Sequence, residues 1–289
     1  MPRIDPYTLS KIPVPIVSEE LMNRVDTLIK DSTLLRDKSI KSLREAHEIF
    51  NQVLDLTQDQ KLFNKYNSSR VLANFHKRLD SSFYLNIEEP EKELIKSKYN
   101  SIPLGELVLK KMFNAQRGRR NYVKKGGIQF LSTSNISEKN PLLIDKFLSR
   151  KTDGLETLIV KKNWILISSS GQDILGSCYI VNECYDDCAV NQHSVRVIID
   201  DEKISPLYVF GFLSNPKTKK YIRAGIYGSA VLTINEDFLK HLLIPILSDE
   251  LDINRIVHLV AKHVEYHEKA CYKEKEAIDL IENVIESWQ

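Results

Sequence analysis

The sequence lacks the short motifs that mark the common catalytic folds. It has no Gly-x-Gly-x-x-Gly fingerprint, no phosphate-binding loop ending in Gly-Lys-Ser/Thr and no Gly-x-Ser-x-Gly nucleophile elbow. The Asn/Asp-Pro-Pro-Tyr motif of amino-methyltransferases is also missing. These absences argue against a nucleotide-dependent enzyme, a serine hydrolase or a methyltransferase.

Cysteine and long apolar runs are also scarce. The 289 residues include four cysteines, and no apolar run approaches the roughly 18 residues that would cross a bilayer. With no signal peptide, this composition predicts a cytoplasmic protein with reduced thiols and no membrane partner. The net charge is +2, so there is no basic field over the whole protein, although local clusters of charge can still matter.

A metal site is not expected from the histidines and cysteines. Cys178, Cys184 and Cys188 have spacings unlike those of common zinc pairs. His263 and His267 share one helical face, but the glutamate between them is one place away from its position in the zincin motif. We expect these histidines to be packed in a helix seam, and we expect no cofactor.

A short phrase near the start of the chain returns near its end. Residues 15–21 (PIVSEEL) match residues 245–251 (PILSDEL) with conservative exchanges, and an Asn-Arg pair follows each copy after a one-residue slip. The distance between the copies is far greater than the roughly 20–50 residues of a solenoid repeat. The repeat therefore predicts two related helices that bracket one globular insert.

Both copies open segments with helical spacing of apolar residues. Ser18 followed by acidic residues is a typical helix start, and apolar positions continue to about residue 56. The second segment keeps steps of three and four over five heptads, as in a coiled-coil seam. At about 1.5 Å per residue each helix would be on the order of 50 Å long. We expect the two to pack antiparallel on each other or on a partner. The first stripe contains Leu21, Val25, Leu28, Leu35, Leu43, Ala46, Ile49, Phe50 and Val53; the second contains Ile253, Ile256, Val260, His263, His267, Ala270, Glu274, Ala277, Ile281, Val284 and Trp288.

Between the helices the pattern changes to short β-rich runs separated by Gly, Asn and Asp. Residues 57–77 are polar and are predicted to be a linker. The insert is therefore expected to be α+β. The predicted strands are 128–131, 157–160, 164–167, 177–181 and 194–199, and the predicted helices are 207–213 and 216–224.

Two stretches of the insert carry basic residues and no acids. They run from residue 107 to 137 and from residue 203 to 235. Such stretches suit a polyanion, because each neutralised phosphate releases counterions. Arginine can also bind guanine bidentately. A solvated surface loop is the alternative interpretation. The candidate phosphate or base contacts are Arg117, Arg119, Arg120, Tyr122, Lys124, Lys125, Lys219, Lys220 and Arg223.

Short hydrogen-bonding side chains gather next to several predicted strands. Side chains of this kind can bind base edges or phosphates, but they are also ordinary turn residues. Both interpretations stay open at the level of the sequence. The candidates are Ser132, Ser134, Asn135, Ser169, Ser170, Gln172, Asn191, Gln192 and His193.

Taken in order, these segments resemble the specificity (S) subunits of type I restriction–modification systems, and the resemblance covers nearly the whole chain. The phrases Ile-Pro-Val-Pro at 12–15 and Leu-Ile-Pro-Ile at 243–246 resemble the family's helix starts. Residues 78–84, 119–131, 162–171, 189–193 and 227–231 resemble successive signatures of its recognition domains. This resemblance adds Tyr227 and Ser229 to the candidate contacts. The sequence departs from the family at two places. Ser169 stands where the family usually has Arg, and residues 15–20 (PIVSEE) stand where the family has a Pro-Pro-x-x-Glu-Gln helix start.

The resemblance implies an α+β protein with one β-rich target-recognition domain bracketed by two long coiled-coil-forming helices. The expected division is an N-terminal segment and spacer helix at 1–56, the linker, a recognition domain at 78–243 and a C-terminal helix at 244–289. Such a protein would be non-catalytic and would recognise one half of a bipartite DNA target.

The resemblance also implies the partners. These would be double-stranded DNA, DNA methyltransferase subunits and restriction subunits of a phage-defence complex. Because S subunits carry two recognition domains, a chain with one is expected to be a half-subunit, acting as a homodimer or paired with another half-chain. The alternatives are a coiled-coil scaffold whose insert binds protein, and a nuclease or other metal enzyme.

Overall fold

A computed structural model describes residues 5–12, 16–54, 99–138, 140–171, 173–228 and 231–288. The expected linker 57–77 and the motif at 78–84 lie outside these residues, as do Gln172 and Ser229. Within these described residues two long helices bracket a region with ten short strands, which confirms the α+β class with two long bracketing helices. Within the described residues no helix is both long enough and apolar enough to span a membrane.

The helices that frame the chain are α1 (Pro6–Ser10), α2 (Glu19–Val53) and, at the other end, α8 (Glu250–Glu286). The 35 residues of α2 correspond to a length of about 53 Å. Ser18 is the N-cap of α2, as expected, and its side chain accepts a hydrogen bond from the Leu21 backbone N–H. Asp249 caps α8 in the same way through the Leu251 N–H.

The caps explain the slip in the internal repeat. Matching the two sequences placed Ser18 opposite Ser248, but the cap of α8 is the next residue, Asp249. Counted from the caps, the Asn-Arg pairs at 23–24 and 254–255 fall at the same helical positions. The repeat is therefore in register as a pair of helix starts.

The two long helices pack antiparallel on each other, which is one of the two arrangements expected from the sequence. Cross-helix contacts run from Arg24 with Glu276 at one end to Ser39 with His263 farther along. The seam of α2 contains Leu28, Ala46, Ile49 and Phe50 as expected, but three buried serines lie between them. These serines are Ser32, Ser39 and Ser42.

The strands form three sheets. One sheet has the antiparallel order β2-β9-β6-β7; another has the order β3-β5-β4-β8, in which β4 and β8 run parallel; and a two-stranded sheet joins β1 to β10. The bounds are β1 (Asn100–Pro103), β2 (Phe113–Asn114), β3 (Tyr122–Val123), β4 (Ile128–Leu131), β5 (Phe147–Leu148), β6 (Ile165–Ser168), β7 (Cys178–Ile180), β8 (Ala189–Val190), β9 (Ser194–Val197) and β10 (Leu243–Ile246).

Short helices fill the remaining connections. The two helices expected from the sequence are present as α5 (Pro206–Leu213) and α6 (Pro216–Ala224). The others are α3 (Thr133–Glu138), α4 (Leu155–Leu158), α7 (Glu236–Lys240) and two 3₁₀ turns, Leu104–Glu106 and Pro141–Leu143.

The predicted strand at 157–160 is wrong. Residues Leu155–Leu158 form the single-turn helix α4, and Ile159 makes only an isolated bridge to Ala189. Gly154 has a φ of +68°, which starts the turn, and the Thr157 hydroxyl donates 2.7 Å to the Gly154 carbonyl. This local bond overrides the β-propensity of Thr, Ile and Val.

The insert is anchored on the helix pair through α5. Phe50 of α2 makes edge contacts with Tyr208 and Phe212, at ring-centroid distances of 5.2 and 5.6 Å. Gly211 lets the backbones approach, since a Cβ there would lie 3.1 Å from a Val260 methyl group of α8. The Tyr208 hydroxyl donates to the Pro245 carbonyl at 2.8 Å, which ties α5 to β10. Strand β10 ends at Ile246 and α8 begins at Glu250, so strand and helix adjoin at this point.

Candidate nucleic-acid interface

Strand pairing brings three of the polar loops to one edge of the insert. Because β4 and β8 run parallel, with Leu131 opposite Val190, the loops that follow them leave at the same end. Strands β6 and β9 are antiparallel with Ser168 opposite Ser194, so the loop after β6 meets the start of β9. We call the resulting group of segments the loop cluster; it comprises residues 116–121, 132–135, 169–171, 191–193 and 227–234, of which Ser229 and Ala230 are outside the described residues.

Hydrogen bonds join these loops to one another. The Thr133 hydroxyl donates to the Asn191 side-chain oxygen at 2.9 Å, and the His193 backbone N–H donates to the same oxygen at 3.1 Å. Ser170 Oγ lies 2.7 Å from His193 Nδ1, and the Ser169 N–H donates 2.9 Å to the His193 carbonyl. Asn191 and His193 therefore bridge the loops that follow β4 and β6.

The arginine-rich segment lies against this group. Arg120 Nη2 donates to the Gln116 carbonyl at 2.8 Å and to the Gln192 side-chain oxygen at 3.3 Å. Arg117 and Arg119 are exposed. The structure therefore places Arg120 against Gln192, with Arg117 close enough to His193 for its charge to act there.

The surroundings of His193 favour its neutral form. Partial burial and the nearby Arg117 charge lower the pKa of His193 from its ordinary value. A neutral imidazole offers one donor and one acceptor, and Ser170 occupies the Nδ1 side. The Nε2 atom lies 3.4 Å from the Gln192 amide nitrogen, so the two side chains can present a joint hydrogen-bonding edge.

A further segment completes the cluster. Ser170 and Tyr227 each form an isolated bridge with Thr233, and the Ile234 N–H donates to the Ser169 carbonyl at 3.1 Å. Gly228 has a φ of +102°, and a Cβ there would lie 2.3 Å from the Val231 carbonyl oxygen, so the turn requires glycine. Val231 is 70% exposed beside these polar groups, an apolar contact that the sequence did not single out.

Beneath the loops lies Arg196, which was also missed in the sequence. It is fully buried on β9, and it donates to the carbonyls of Val190 (2.6 Å), Ser194 (2.6 Å) and Asn191 (2.9 Å). Burial first, and then the Arg120 charge, lowers the pKa of Arg196 to about 10. This guanidinium fixes the backbone that carries Asn191, Gln192 and His193. The only sequence signal was an arginine within an otherwise apolar strand.

Other predicted residues occupy neighbouring positions. The Ser132 N–H and hydroxyl both donate to the Asn135 side-chain oxygen, and Ser134 Oγ lies 2.9 Å from Ser132 Oγ, so these side chains close the first turn of α3. Tyr122 is exposed on β3, with the Lys146 ammonium 4.6 Å from its ring centroid. Lys124 and Lys125 are exposed in the turn that follows β3.

The basic residues of α6 are arranged differently. Arg223 donates to the Leu175 carbonyl at 3.1 Å, and Lys220 is exposed. Lys219 donates to Ser177 Oγ at 2.8 Å and lines a cavity of about 560 Å³ between α5, α6, β7 and the long helices. These contacts tie Lys219 and Arg223 to residues 175–177, outside the loop cluster.

The helix histidines have packing partners. His263 Nδ1 lies 3.1 Å from the Ser39 carbonyl, while the Ser39 hydroxyl donates to the His263 carbonyl at 2.9 Å. His267 Nδ1 lies 3.1 Å from the Asn182 side-chain nitrogen, and its ring stacks on Tyr185. In the part of the chain that the structure describes, no three His, Cys, Asp or Glu side chains are arranged to hold a metal ion.

Comparison with known proteins gives structural matches alone, because no family model and no curated protein matches the sequence. One similar structure is the HsdS subunit from Thermoanaerobacter tengcongensis, with 12% identity, a TM-score of 0.43, and coverage of 94% of this chain and 59% of that chain. Another is the S subunit of a type I restriction–modification system from M. genitalium, with 12% identity, a TM-score of 0.43, and coverage of 91% and 58%. The chain thus spans less than two thirds of the length of these structures.

Proposed function

We propose that the chain is a non-catalytic DNA specificity subunit of a type I-like restriction–modification system. In this proposal the insert recognises one half of a bipartite target, and the long helices set the spacing and dock methyltransferase subunits. The observation that carries the proposal is the convergence of the loop cluster. Segments far apart in the sequence, each carrying Arg, Asn, Gln, Ser or His, meet on one surface.

The chemistry of this surface suits duplex DNA. None of the segments of the loop cluster contains an acidic residue. Exposed Arg117 and Arg119 can bind phosphate or guanine, and the amide of Gln192 can bind adenine. Val231 offers an apolar contact of the kind that recognises a thymine methyl group. These groups supply both the sequence-independent and the sequence-specific parts of a DNA interface.

The long helices supply the second half of the proposal. Met22, Ile29 and Ile40 are exposed and lie on one face of α2, at separations of 7 and 11 residues. That face is offset from the seam with α8. Within the described part of the chain it is exposed and available to a docking partner. A methyltransferase subunit on this face and a second copy of the chain would together give a twofold assembly that recognises an inverted repeat.

Co-expression tests the proposal directly. The chain is expressed with the methyltransferase subunit encoded beside it, and methylated bases are mapped across the host genome. A new bipartite palindromic motif is the expected result for a homodimer, and an asymmetric motif would indicate pairing with a different half-chain. If no new motif appears although the methyltransferase is present, the proposal fails.

Salt dependence separates this function from a scaffold role. A DNA-recognition subunit should lose affinity steeply as salt rises, with a slope of log K on log salt near −0.9 for each phosphate contacted. A scaffold that binds protein through its insert would show no such slope on DNA. Replacing Arg117, Arg119 and Arg120 together by Ala should reduce the slope by about one for each phosphate contact removed.

A further inference from the structure

A cavity lies where the insert meets the helix pair. Its volume is about 560 Å³, and its walls come from α2, α5, α6, α8 and β7 together with neighbouring turns. Small-molecule sites in proteins have volumes of about 300–1,000 Å³. None of the described residues that line the cavity belongs to the loop cluster. The cavity is therefore large enough for an organic ligand and is separate from the candidate DNA interface.

Much of the cavity wall is apolar. Leu43 of α2, Phe210 and Leu213 of α5, Ile180 of β7 and Val264 of α8 all line it. Apolar surface of this kind binds the apolar part of a ligand and offers water few hydrogen-bonding partners. A ligand that fits this wall needs an apolar body.

The cavity also has a polar corner that carries a positive charge. Lys219 Nζ donates to Ser177 Oγ at 2.8 Å, and both residues line the cavity. Lys219 is half-buried and has no carboxylate partner within the described part of the chain. An ammonium group has three N–H donors, and Ser177 accepts from one of them. The other two donors are available to a bound acceptor.

Negative charge is missing from the same wall. Among the described residues that line the cavity there is no Asp or Glu. The other titratable groups there are thiol, phenol and imidazole side chains, none of which is ordinarily anionic at pH 7. Charge complementarity therefore favours a ligand with an anionic group that lies beside Lys219.

Backbone geometry fixes Ser177 next to this lysine. Gly176 has a φ of +78°, a conformation that favours glycine in the turn before Ser177. Arg223 donates to the Leu175 carbonyl at 3.1 Å and holds the same turn against α6. The Ser177 hydroxyl accepts from Lys219, so its own proton can be donated to a ligand.

The helix that carries Lys219 is tied to the helix pair. Asn215 is fully buried and caps α6 by accepting from the Lys217 N–H at 3.0 Å. Its amide nitrogen donates to the Asn51 side-chain oxygen of α2 at 3.0 Å. Ser214 Oγ lies 3.0 Å from His47 Nε2 of the same helix. The walls of the cavity are therefore held together before any ligand binds, as is usual for small-molecule sites.

We propose that this cavity binds a small organic carboxylate with an apolar body. The carboxylate accepts hydrogen bonds from the Lys219 ammonium and the Ser177 hydroxyl, while the apolar body packs against the wall that includes Phe210 and Val264. Because the insert and the helix pair both contribute to the wall, a bound ligand stabilises the junction between them. This inference does not depend on DNA binding.

Isothermal titration calorimetry of the full chain with octanoate tests the site. We expect one octanoate to bind per chain. Lys219→Gln should weaken binding about tenfold or more, because a charged hydrogen bond to the carboxylate is lost. Lys220→Gln removes the same charge from the next, exposed position of α6, and as the matched control it should change affinity by less than about twofold. The uncharged 1-octanol should bind wild type and Lys219→Gln equally.

A further variant locates the ligand. Val264→Phe places a larger side chain in the cavity from α8 and should abolish octanoate binding. If the folded variant binds octanoate as wild type does, the ligand lies elsewhere and the proposal is wrong. Absence of binding to the wild-type protein at millimolar octanoate, or equal losses in Lys219→Gln and Lys220→Gln, would also overturn it. The comparison of the two lysine variants decides the question even if Val264→Phe does not fold.

Discussion

The helix pair and the loop cluster use positive charge in opposite ways. Across the helix pair cations meet carboxylates: Arg24 with Glu276 at 2.9 Å, Lys273 with Asp31 at 2.8 Å, and Arg36 with Glu274. In the loop cluster, Arg117, Arg119 and Arg120 have no carboxylate partner among the described residues. The paired charges of the helix pair contribute to the fold, whereas the unpaired charges of the loop cluster are available to a ligand.

The unpaired positive charges of the loop cluster also disfavour protonation of neighbouring basic side chains. Arg117 contributes to the lowered pKa of His193, and Arg120 to the lowered pKa of Arg196. In both cases a nearby guanidinium disfavours the charged form of its neighbour. A polyanion on this surface would offset the charges of Arg117 and Arg120, so binding and local electrostatics should be coupled.

Phe50→Ala should have the largest effect and should act on stability alone. Phe50 is fully buried where α2 meets α5, and removing its ring should cost about 3–5 kcal/mol of unfolding free energy. Chemical denaturation measures the loss. Leu34→Ala, on the same helix but 58% exposed, is the matched control and should change stability by less than about 0.5 kcal/mol. Equal effects of the two substitutions would contradict the packing of α2 against the insert.

Acid should weaken the helix pair next most strongly. Burial lowers the pKa of His47 and of His263 to about 4, with the other histidine charges adding to the effect. Both are therefore neutral in the folded protein at pH 7, while the unfolded chain takes up protons below about pH 6.5. The stability due to their neutral forms is present above pH 6.5 and is lost as pH falls toward 4. The expected loss is on the order of 1–2 kcal/mol per histidine by pH 5.

Denaturation curves between pH 7 and pH 5 measure this loss. His263→Gln keeps a donor near the Ser39 carbonyl and should flatten the profile. His258→Gln, at an exposed position of the same helix, should leave the slope unchanged. A wild-type profile that is flat over this range would show that the fold does not keep His47 and His263 neutral.

The helices could be predicted from the sequence because their signals are local. Helix α2 begins after a capping serine, and both α2 and α8 have acidic first turns and apolar residues spaced by three and four. These signals predict both helices without tertiary information. The burial of Ser32, Ser39 and Ser42 could not be predicted from an apolar pattern. These side chains fit the seam because they are small and because they form hydrogen bonds, such as that of Ser32 to the Ala270 carbonyl at 2.9 Å. Thr157 similarly shows a local hydroxyl contact that β-propensity does not register.

The sequence names the residues of the candidate site one by one, but it does not predict their arrangement. Each polar loop follows or precedes a recognisable strand, so its members could be named. Their convergence depends on the parallel pairing of β4 with β8, which joins distant segments and leaves no local signal. Arg196 was missed for the same reason: its partners are carbonyls that only the fold brings together.

Arg119→Ala should lower DNA affinity while leaving the fold intact. Arg119 is exposed and has no carboxylate partner within the described residues, so stability should change by less than about 0.5 kcal/mol. If its guanidinium contacts a base, binding should weaken by roughly 1–3 kcal/mol. Fluorescence anisotropy on target and non-target duplexes measures both affinity and specificity. Unchanged affinity on both would remove Arg119 from the interface.

Arg24→Ala should have the smallest effect on stability and on DNA affinity. It is the counterpart of Arg119→Ala, because it removes a paired cation instead of an unpaired one. The Arg24–Glu276 pair is solvent-exposed, and exposed pairs contribute about 0–1 kcal/mol. The loss of stability should shrink further in high salt, and DNA affinity of the isolated chain should stay within twofold of wild type. If Arg24→Ala weakened DNA binding as much as Arg119→Ala, affinity would follow net charge rather than position. The loop cluster would then have no special role, and the distinction between the paired and unpaired arginines would fail.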